Sequence, residues 1–338
     1  MTAPARDALV PLPAIVADIG GTNARFAFVD EDGRLGPAMN VRVRQFPNAV
    51  AAMEAAIGRA GIRPRSAVLA IAGVIVGDSV ALTNAHWVFE PKPLMAALGL
   101  SDVVILNDFE AIALCLPALT DADVVPIGGG MSVPGETRIV VGPGTGLGAA
   151  ALLGTGRGWT PTRGEGGHMD IGPRTEREYA IWRHLERIEG RTSAEWLISG
   201  GGLLRLHRAV AAAGGLAPAF DDSAALSKAA LAGDPIAEET VELFVTLLGR
   251  YAGDVALIFL PRGGVFIAGG IAPRIAPFFQ TGAFREAFID KAPHRQVMDA
   301  IPTRMIVRAD PGLLGLGAFV AAPQDYAVNL AGRHWQRG

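Results

Sequence analysis

At 338 residues, half of them hydrophobic and 19% charged, the chain is too apolar to be disordered and too long for one hydrophobic core; about 150 residues per domain suggests roughly two lobes. Thirty basic residues against 33 acidic ones leave a net charge of -3, which offers nothing for nucleic acid or an anionic membrane to hold, so a small-molecule partner is expected. Only Lys92, Lys228 and Lys291 are lysines, the arginines form no basic stripe, and Cys115 stands alone, which excludes an internal disulfide or a cysteine-based zinc site and fits a reducing, cytoplasmic setting.

Met1 to Val10 lacks a basic segment followed by a long apolar stretch, so no secretory leader is expected. Ala14 to Asp18 reads as a buried strand, Gly20 to Asn23 as a turn, and Arg25 to Asp30 and Met39 to Arg44 as further strands. Asn48 is placed to cap a helix through about Arg59, and Ser66 to Ala72 is another buried strand. The pattern restarts at Arg138 to Val141, runs through Gly142-Pro143-Gly144-Thr145-Gly146-Leu147-Gly148, and leaves as a strand over Ala149 to Leu153. Strand, Gly-Thr turn, strand thus occurs twice, as expected of two lobes on one plan. Ile139 to Gly156 is uncharged and long enough for a membrane span, but its glycines and Pro143 predict strand, turn and strand instead. Beyond it lie amphipathic stretches near Arg177 to Ile188, Ala194 to Ala213 and Ala237 to Leu260.

Asp18-Ile19-Gly20-Gly21-Thr22-Asn23-Ala24-Arg25 sets a carboxylate at a strand end, then glycines free to take positive φ, then hydroxyl, amide and guanidinium donors. Backbone N–H groups of such a turn suit phosphate oxygens, and Asp18 suits Mg²⁺, directly or through water; a plain hairpin turn reads the same way. The second glycine-rich turn lacks the Gly-Lys-Ser/Thr ending of a P-loop, and its glycines do not match G-x-G-x-x-G. Gly264 to Ile271 is a buried strand ending in Gly269-Gly270, where missing side chains would let a flat base approach, or simply a strand end.

Asn107-Asp108 joins an apolar strand to a helix, so Asp108 is either a reactive carboxylate or a helix cap. Glu165, His168 and Asp170 share a glycine-rich loop that reads as a ligand loop, a surface turn or, with no second histidine to complete a triad, a poor metal site. Glu195 in Thr192-Ser193-Ala194-Glu195 fits a capping box. Together these groups suit the hydroxyls of a sugar.

In this order the motifs resemble the bacterial glucokinases of the hexokinase and actin-like ATPase superfamily. Asp18 to Arg25 resembles the first phosphate loop, with Ala17 where the family often has glycine, and Leu106-Asn107-Asp108-Phe109 the sugar and base segment. Gly142 to Gly148 resembles the second phosphate loop, Pro161 to Asp170 and Glu195 the sugar ligands, Val265 to Ile271 the adenosine segment, and Pro311 to Gly315 the helix joining the lobes. The resemblance runs from about Ala14 to Phe319. It implies a two-lobed actin-like, ribonuclease H-like α/β fold with a central cleft: a small lobe over 1–118 completed by 311–338, and a large lobe over 119–310.

It further implies ATP and Mg²⁺ as cofactors, glucose as substrate, a homodimer and transfer to the sugar 6-hydroxyl, with Asp108 as base. Asn107, Asp108, Glu165, His168 and Glu195 are the expected sugar ligands. The donor is expected on Ala17, Asp18, Ile19, Gly20, Gly21, Thr22, Asn23, Arg25, Gly144, Thr145, Gly146, Gly269 and Gly270, with Asp18 holding the metal through water. Two alternatives share these motifs: a kinase for another hexose, and a sugar-binding regulator that keeps the fold without transfer.

Overall fold

The structure, a computed structural model, describes residues 9–76, 79–82 and 87–337; most of the leader expectation over Met1 to Val10 lies outside them. The chain opens with strands β1 (Ala14–Ile19), β2 (Asn23–Val29) and β3 (Met39–Arg42), helix α1 (Ala49–Ala60) and strand β4 (Ser66–Ile71). Short strands β5 (Gly73–Val76), β6 (Ser79–Leu82) and β7 (Val88–Phe89), helix α2 (Pro91–Leu98), strand β8 (Asp102–Asn107) and helix α3 (Asp108–Cys115) follow. Then come β9 (Val124–Gly128), β10 (Arg138–Pro143), β11 (Leu147–Gly154) and β12 (Trp159–Pro161). Helices α4 (Glu176–Trp182), α5 (Ala194–Leu197), α6 (Gly200–Ala213), α7 (Ser223–Leu231) and α8 (Pro235–Phe259) lead to β13 (Gly264–Ile267). The chain closes with α9 (Ala283–Ile289), α10 (Arg295–Ala300), β14 (Thr303–Ile306), α11 (Pro311–Ala321) and β15 (His334–Gln336).

Two compact units emerge. The first comprises 1–120, 152–163 and 308–338, and its sheet runs β15-β8-β4-β1-β2-β3. β1, β4 and β8 are mutually parallel, whereas β2, β3 and β15 pair antiparallel with their neighbours. β4 is buried at every position and β1 at all but one, the near-continuous apolar run that parallel strands covered on both faces require. Asn48 caps α1 by accepting from Ala51 N at 2.9 Å, and α1 buries Ala49, Ala52, Met53 and Ala56 in a core with Phe26, Phe28 and Trp87. α11 packs on α3 so closely that a Cβ on Gly315 would lie 1.9 Å from the Ala111 carbonyl oxygen. Buried Arg333, just ahead of β15, grips Glu110 of α3 at 2.5 and 3.2 Å.

The second unit comprises 121–151 and 164–307. Its sheet runs β11-β10-β13-β14-β9, with β12 paired to the end of β11; β10, β13 and β14 are parallel and β9 antiparallel. α8 has fifteen buried residues among its twenty-five and carries Arg250, whose guanidinium meets Glu178 of α4 at 2.9 and 3.1 Å. Both ends of that pair are buried, so removing either alone would strand a charge.

The amphipathic stretch Ala194 to Ala213 is two helices where one was predicted. Ser193 caps α5 through Trp196 N at 3.3 Å and Ser199 caps α6 through Gly202 N at 3.1 Å; apolar periodicity continues across a break that these serines impose. The stretch from Arg177 likewise leaves the helix after Trp182. Ile139 to Gly156 forms β10, a turn and β11, and among the described residues no helix is long and apolar enough to cross a membrane.

Gly315→Ala tests the α11–α3 contact. Alanine gains about 1 kcal/mol of helix propensity, but its methyl meets backbone that no side-chain rotation relieves, so a net loss of about 2–3 kcal/mol is expected in denaturant unfolding.

Candidate active site

In the first unit, Ile19, Ile71 and Asn107 lie in register across β1, β4 and β8. The carboxyl ends of three parallel strands therefore share one edge, where open α/β sheets place ligands. From β1 the chain turns through Gly20, Gly21 and Thr22 into β2, with Gly20 N donating to the Asn23 carbonyl at 3.0 Å. Gly20, though free to take a positive φ, does not hold the left-handed conformation, and neither do Gly144 and Gly146; what these positions offer is bare backbone.

Asp18 faces Arg25 across the β1–β2 pair, and Arg25 Nη1 donates to its Oδ2 at 3.2 Å. Burial pushes the Asp18 carboxyl up, Arg25 opposes that rise, and nearby Asp310 adds to it. A Cβ on Gly312, in the first turn of α11, would stand 3.1 Å from the same carboxylate. The site thus holds a carboxylate that a further cation would favour.

Asp108 is the first residue of α3. It does not cap that helix: Asn107 does, accepting from Phe109 N at 3.0 Å and Glu110 N at 3.3 Å, while Glu110 Oε2 accepts from Asn107 N at 3.4 Å. The Asp108 Oδ1 accepts from Phe109 N at 3.0 Å. Sequence offered Asp108 as the cap because its type suits one, but β8 runs one residue further and moves the cap to Asn107.

The second unit assembles Glu165, His168 and Glu195. His168 Nε2 lies 3.8 Å from Glu165 and 3.9 Å from Glu195. The loop is fastened beneath them: Ala194 N donates to the Met169 carbonyl at 2.8 Å, and Arg191 bonds the His168 carbonyl at 2.9 Å. Glu195 does not complete a capping box; its Oε2 accepts from Leu147 N at 2.8 Å, which ties it to the second glycine-rich turn. A Cβ on Gly146 would fall 2.3 Å from that carboxylate, and one on Gly167 would fall 2.2 Å from the Leu147 carbonyl oxygen. Asp170 pairs with Arg191 at 2.8 Å and so belongs to the scaffold; among the described residues no group of three histidine, cysteine or acidic side chains is gathered for a metal.

The same turn reaches the other motifs of its unit. Gly200 N, at the start of α6, donates to the Gly144 carbonyl at 2.9 Å. Gly269 holds φ at +87°, and a Cβ there would meet the Pro143 carbonyl oxygen at 2.3 Å, so only glycine fits. Gly144 and Gly270 face open space, with nothing within 4 Å of a built Cβ; Thr145 lies between Gly144 and Gly146. The unit thus presents an acidic and imidazole cluster suited to hydroxyl groups, and exposed backbone suited to a flat or anionic group.

Sequence reasoning missed Tyr251. It is 2% exposed on α8, and its hydroxyl has no hydrogen-bond partner among the described residues. Burial and the neighbouring charge of Glu195 both push its ionisation up. Only its place in a helix that dips beneath the Gly166 loop reveals it, and apolar periodicity hides it among core residues.

A family model described as Glucokinase matches residues 15–323. A glucokinase of Sinorhizobium medicae is 50% identical over 336 residues, covering 98% of this chain and 99% of that protein, and one of Rhizobium meliloti is 50% identical over 330 residues, 97% of each. The crystal structure of a glucokinase from an Antarctic psychrotroph superposes with a TM-score of 0.81 at 32% identity, covering 91% of this chain and 98% of that one. The chain, with its two six-stranded sheets and the smaller β5-β6-β7 sheet, has the α/β fold of these actin-like sugar kinases.

Asp18→Asn isolates the energetic position of the buried carboxylate. Because its folded pKa lies above the ordinary value of 3.8, the unfolded chain releases that proton first, and stability falls as pH rises through the interval. Asparagine removes that cost, and the half-exposed Arg25 loses little by it. Urea melts should show the variant more stable at pH 7 by about 0.5–2 kcal/mol, with the gain vanishing below about pH 4.

Proposed function

Because the chain belongs to the glucokinase family, we propose that it transfers the terminal phosphoryl group of ATP to the 6-hydroxyl of glucose, giving glucose 6-phosphate and ADP. The observation that carries this reading is the shared edge of β1 and β8, which sets Asp108 beside the Asp18–Arg25 turn. Neighbouring strands stand about 4.8 Å apart, so these two strand ends are about 10 Å apart. That span accommodates a hydroxyl on Asp108 and a phosphoryl group at the turn, with the reacting atoms about 3–3.5 Å apart.

Asp108 takes the proton of the 6-hydroxyl as that oxygen attacks phosphorus. Asn107, Glu165, His168 and Glu195 hold the remaining sugar hydroxyls, with acceptors and donors that go unpaired in the complex when a hydroxyl is missing. The donor is held at the end of β1 and the turn after it, where buried Ala17 and Ile19 set the course of the chain, Gly20 and Gly21 offer bare backbone, and Thr22, Asn23 and Arg25 offer side chains. Gly144, Thr145 and Gly146 form a second phosphate contact, and Gly269 and Gly270 leave room for the adenine face. The buried, proton-favouring carboxylate of Asp18 beside Asp310 suits Mg²⁺ held through water. That ion would offset phosphate charge, as phosphoryl transfer generally requires. The protein's own contribution is alignment and a fixed set of N–H dipoles around the transferred group.

We place the activity in the cytoplasm, supported by a single, buried cysteine, and expect a homodimer of the 35.1 kDa chain, which sedimentation would show at twice that mass.

Asp108→Asn preserves size and removes basicity. Turnover should fall at least about 10²-fold while glucose binding, read by calorimetry, stays within about threefold of wild type. Unchanged turnover would remove Asp108 from the role of base.

A further inference from the structure

Where β3 and the residues after it pass the β1–β2 turn, the surface is cationic. A cavity of about 210 Å³ is lined by Gly21, Thr22, Arg42 and Arg44. We propose that Arg42 and Arg44 complete, with this turn, a subsite for a terminal phosphoryl group, a dianionic phosphate monoester. The inference rests on the phosphoryl-transfer reading above and adds two guanidinium groups to the Arg25 and Mg²⁺ of that reading.

Backbone pairing fixes the juxtaposition. In the β2–β3 ladder Arg42 stands opposite Asn23, and Val43 N donates to the Thr22 carbonyl at 3.0 Å. Val43 is buried at 2% exposure, which anchors the segment, while Arg42 and Arg44 on either side of it are exposed along with Thr22. Neither guanidinium has an acidic partner among the described residues. At about 210 Å³ the cavity is smaller than the roughly 300–1,000 Å³ of sites that enclose whole ligands, so it suits one group of a larger molecule.

Arg25 and the three lysines are placed differently. Arg25 is paired with Asp18. Lys291 is buried against Asp254 at 2.6 Å and the Arg250 carbonyl at 3.0 Å, and the other two lysines, Lys92 and Lys228, sit on α2 and α7. The sequence has no P-loop lysine, and among the described residues Arg42 and Arg44 are the cations that line this cavity. Guanidinium groups also suit phosphate better than ammonium groups, because their forked donors bond two oxygens at once. The competing explanation is that cations on an edge strand merely discourage sheet-to-sheet pairing.

The test compares wild type with Arg42→Ala, Arg44→Ala, the double alanine variant and a double lysine variant. Steady-state rates give KM for Mg-ATP and for glucose, and calorimetry gives Kd for glucose 6-phosphate and for Mg-ADP, which lacks the terminal group. The double alanine variant should weaken both Mg-ATP and glucose 6-phosphate about tenfold or more. Mg-ADP and glucose should stay within about twofold, and lysine should restore part of the loss. A loss confined to Mg-ATP assigns the subsite to the donor's terminal phosphoryl, and one confined to glucose 6-phosphate assigns it to the product's. An equal loss for Mg-ADP, or no loss beyond increased aggregation, overturns the proposal. If wild type forms no sugar phosphate yet binds Mg-ATP more tightly than the double variant, the kinase reading fails and the subsite stands.

Discussion

The start of helix α3 is the constraint on which the proposed chemistry depends. Asn107 satisfies two of its otherwise orphaned N–H groups, Glu110 returns a bond to Asn107, and buried Arg333 holds Glu110 in place. Removing Arg333 would leave a buried carboxylate unpaired and free the cap it supports, at a cost of about 3–5 kcal/mol. Asp108, one residue into the helix, inherits its position from that network. The base proposed above, within the helix's first turn, is held more firmly than a loop residue would be, which suits a reaction whose catalysis is mainly alignment.

The second unit reaches the same end by a different device. Its polar cluster stands on the Gly164 to Asp170 segment and the start of α5, and the adjoining loops are held there by the absence of side chains. Gly146 admits the Glu195 carboxylate to Leu147 N, Gly167 admits the Leu147 carbonyl, and Gly269 brings the end of β13 against Pro143. Each glycine lets two backbones approach to a distance that a methyl group would forbid. The glycine-rich composition of these motifs is therefore explained as much by packing of the loops on each other as by room for a ligand.

The strands and turns were legible in the sequence because their signals are local: apolar runs for β1, β4 and β8, and glycine clusters between them. The family resemblance likewise rested on contiguous motifs. What escaped were pairings between distant residues. Glu195 reads locally as a helix cap, and only its bond to Leu147 N, 48 residues away, gives it another task. Glu110 and Arg333 are 223 residues apart, and neither carries a mark of the other. Tyr251 sits in the apolar stripe of a long helix, where its unpartnered hydroxyl leaves no trace in the pattern. For Asp108 the capping alternative fails because Asn107 performs that role, and aspartate and asparagine cap almost equally well.

Product analysis of the wild-type chain tests the central assignment most directly. With Mg-ATP and glucose, phosphorus NMR should show ADP and glucose 6-phosphate forming one for one, with the new ester at the 6-position. ADP released without sugar phosphate, or an ester at another hydroxyl, would contradict the assignment of Asp108 and the turn at Asp18 as the two sides of one transfer.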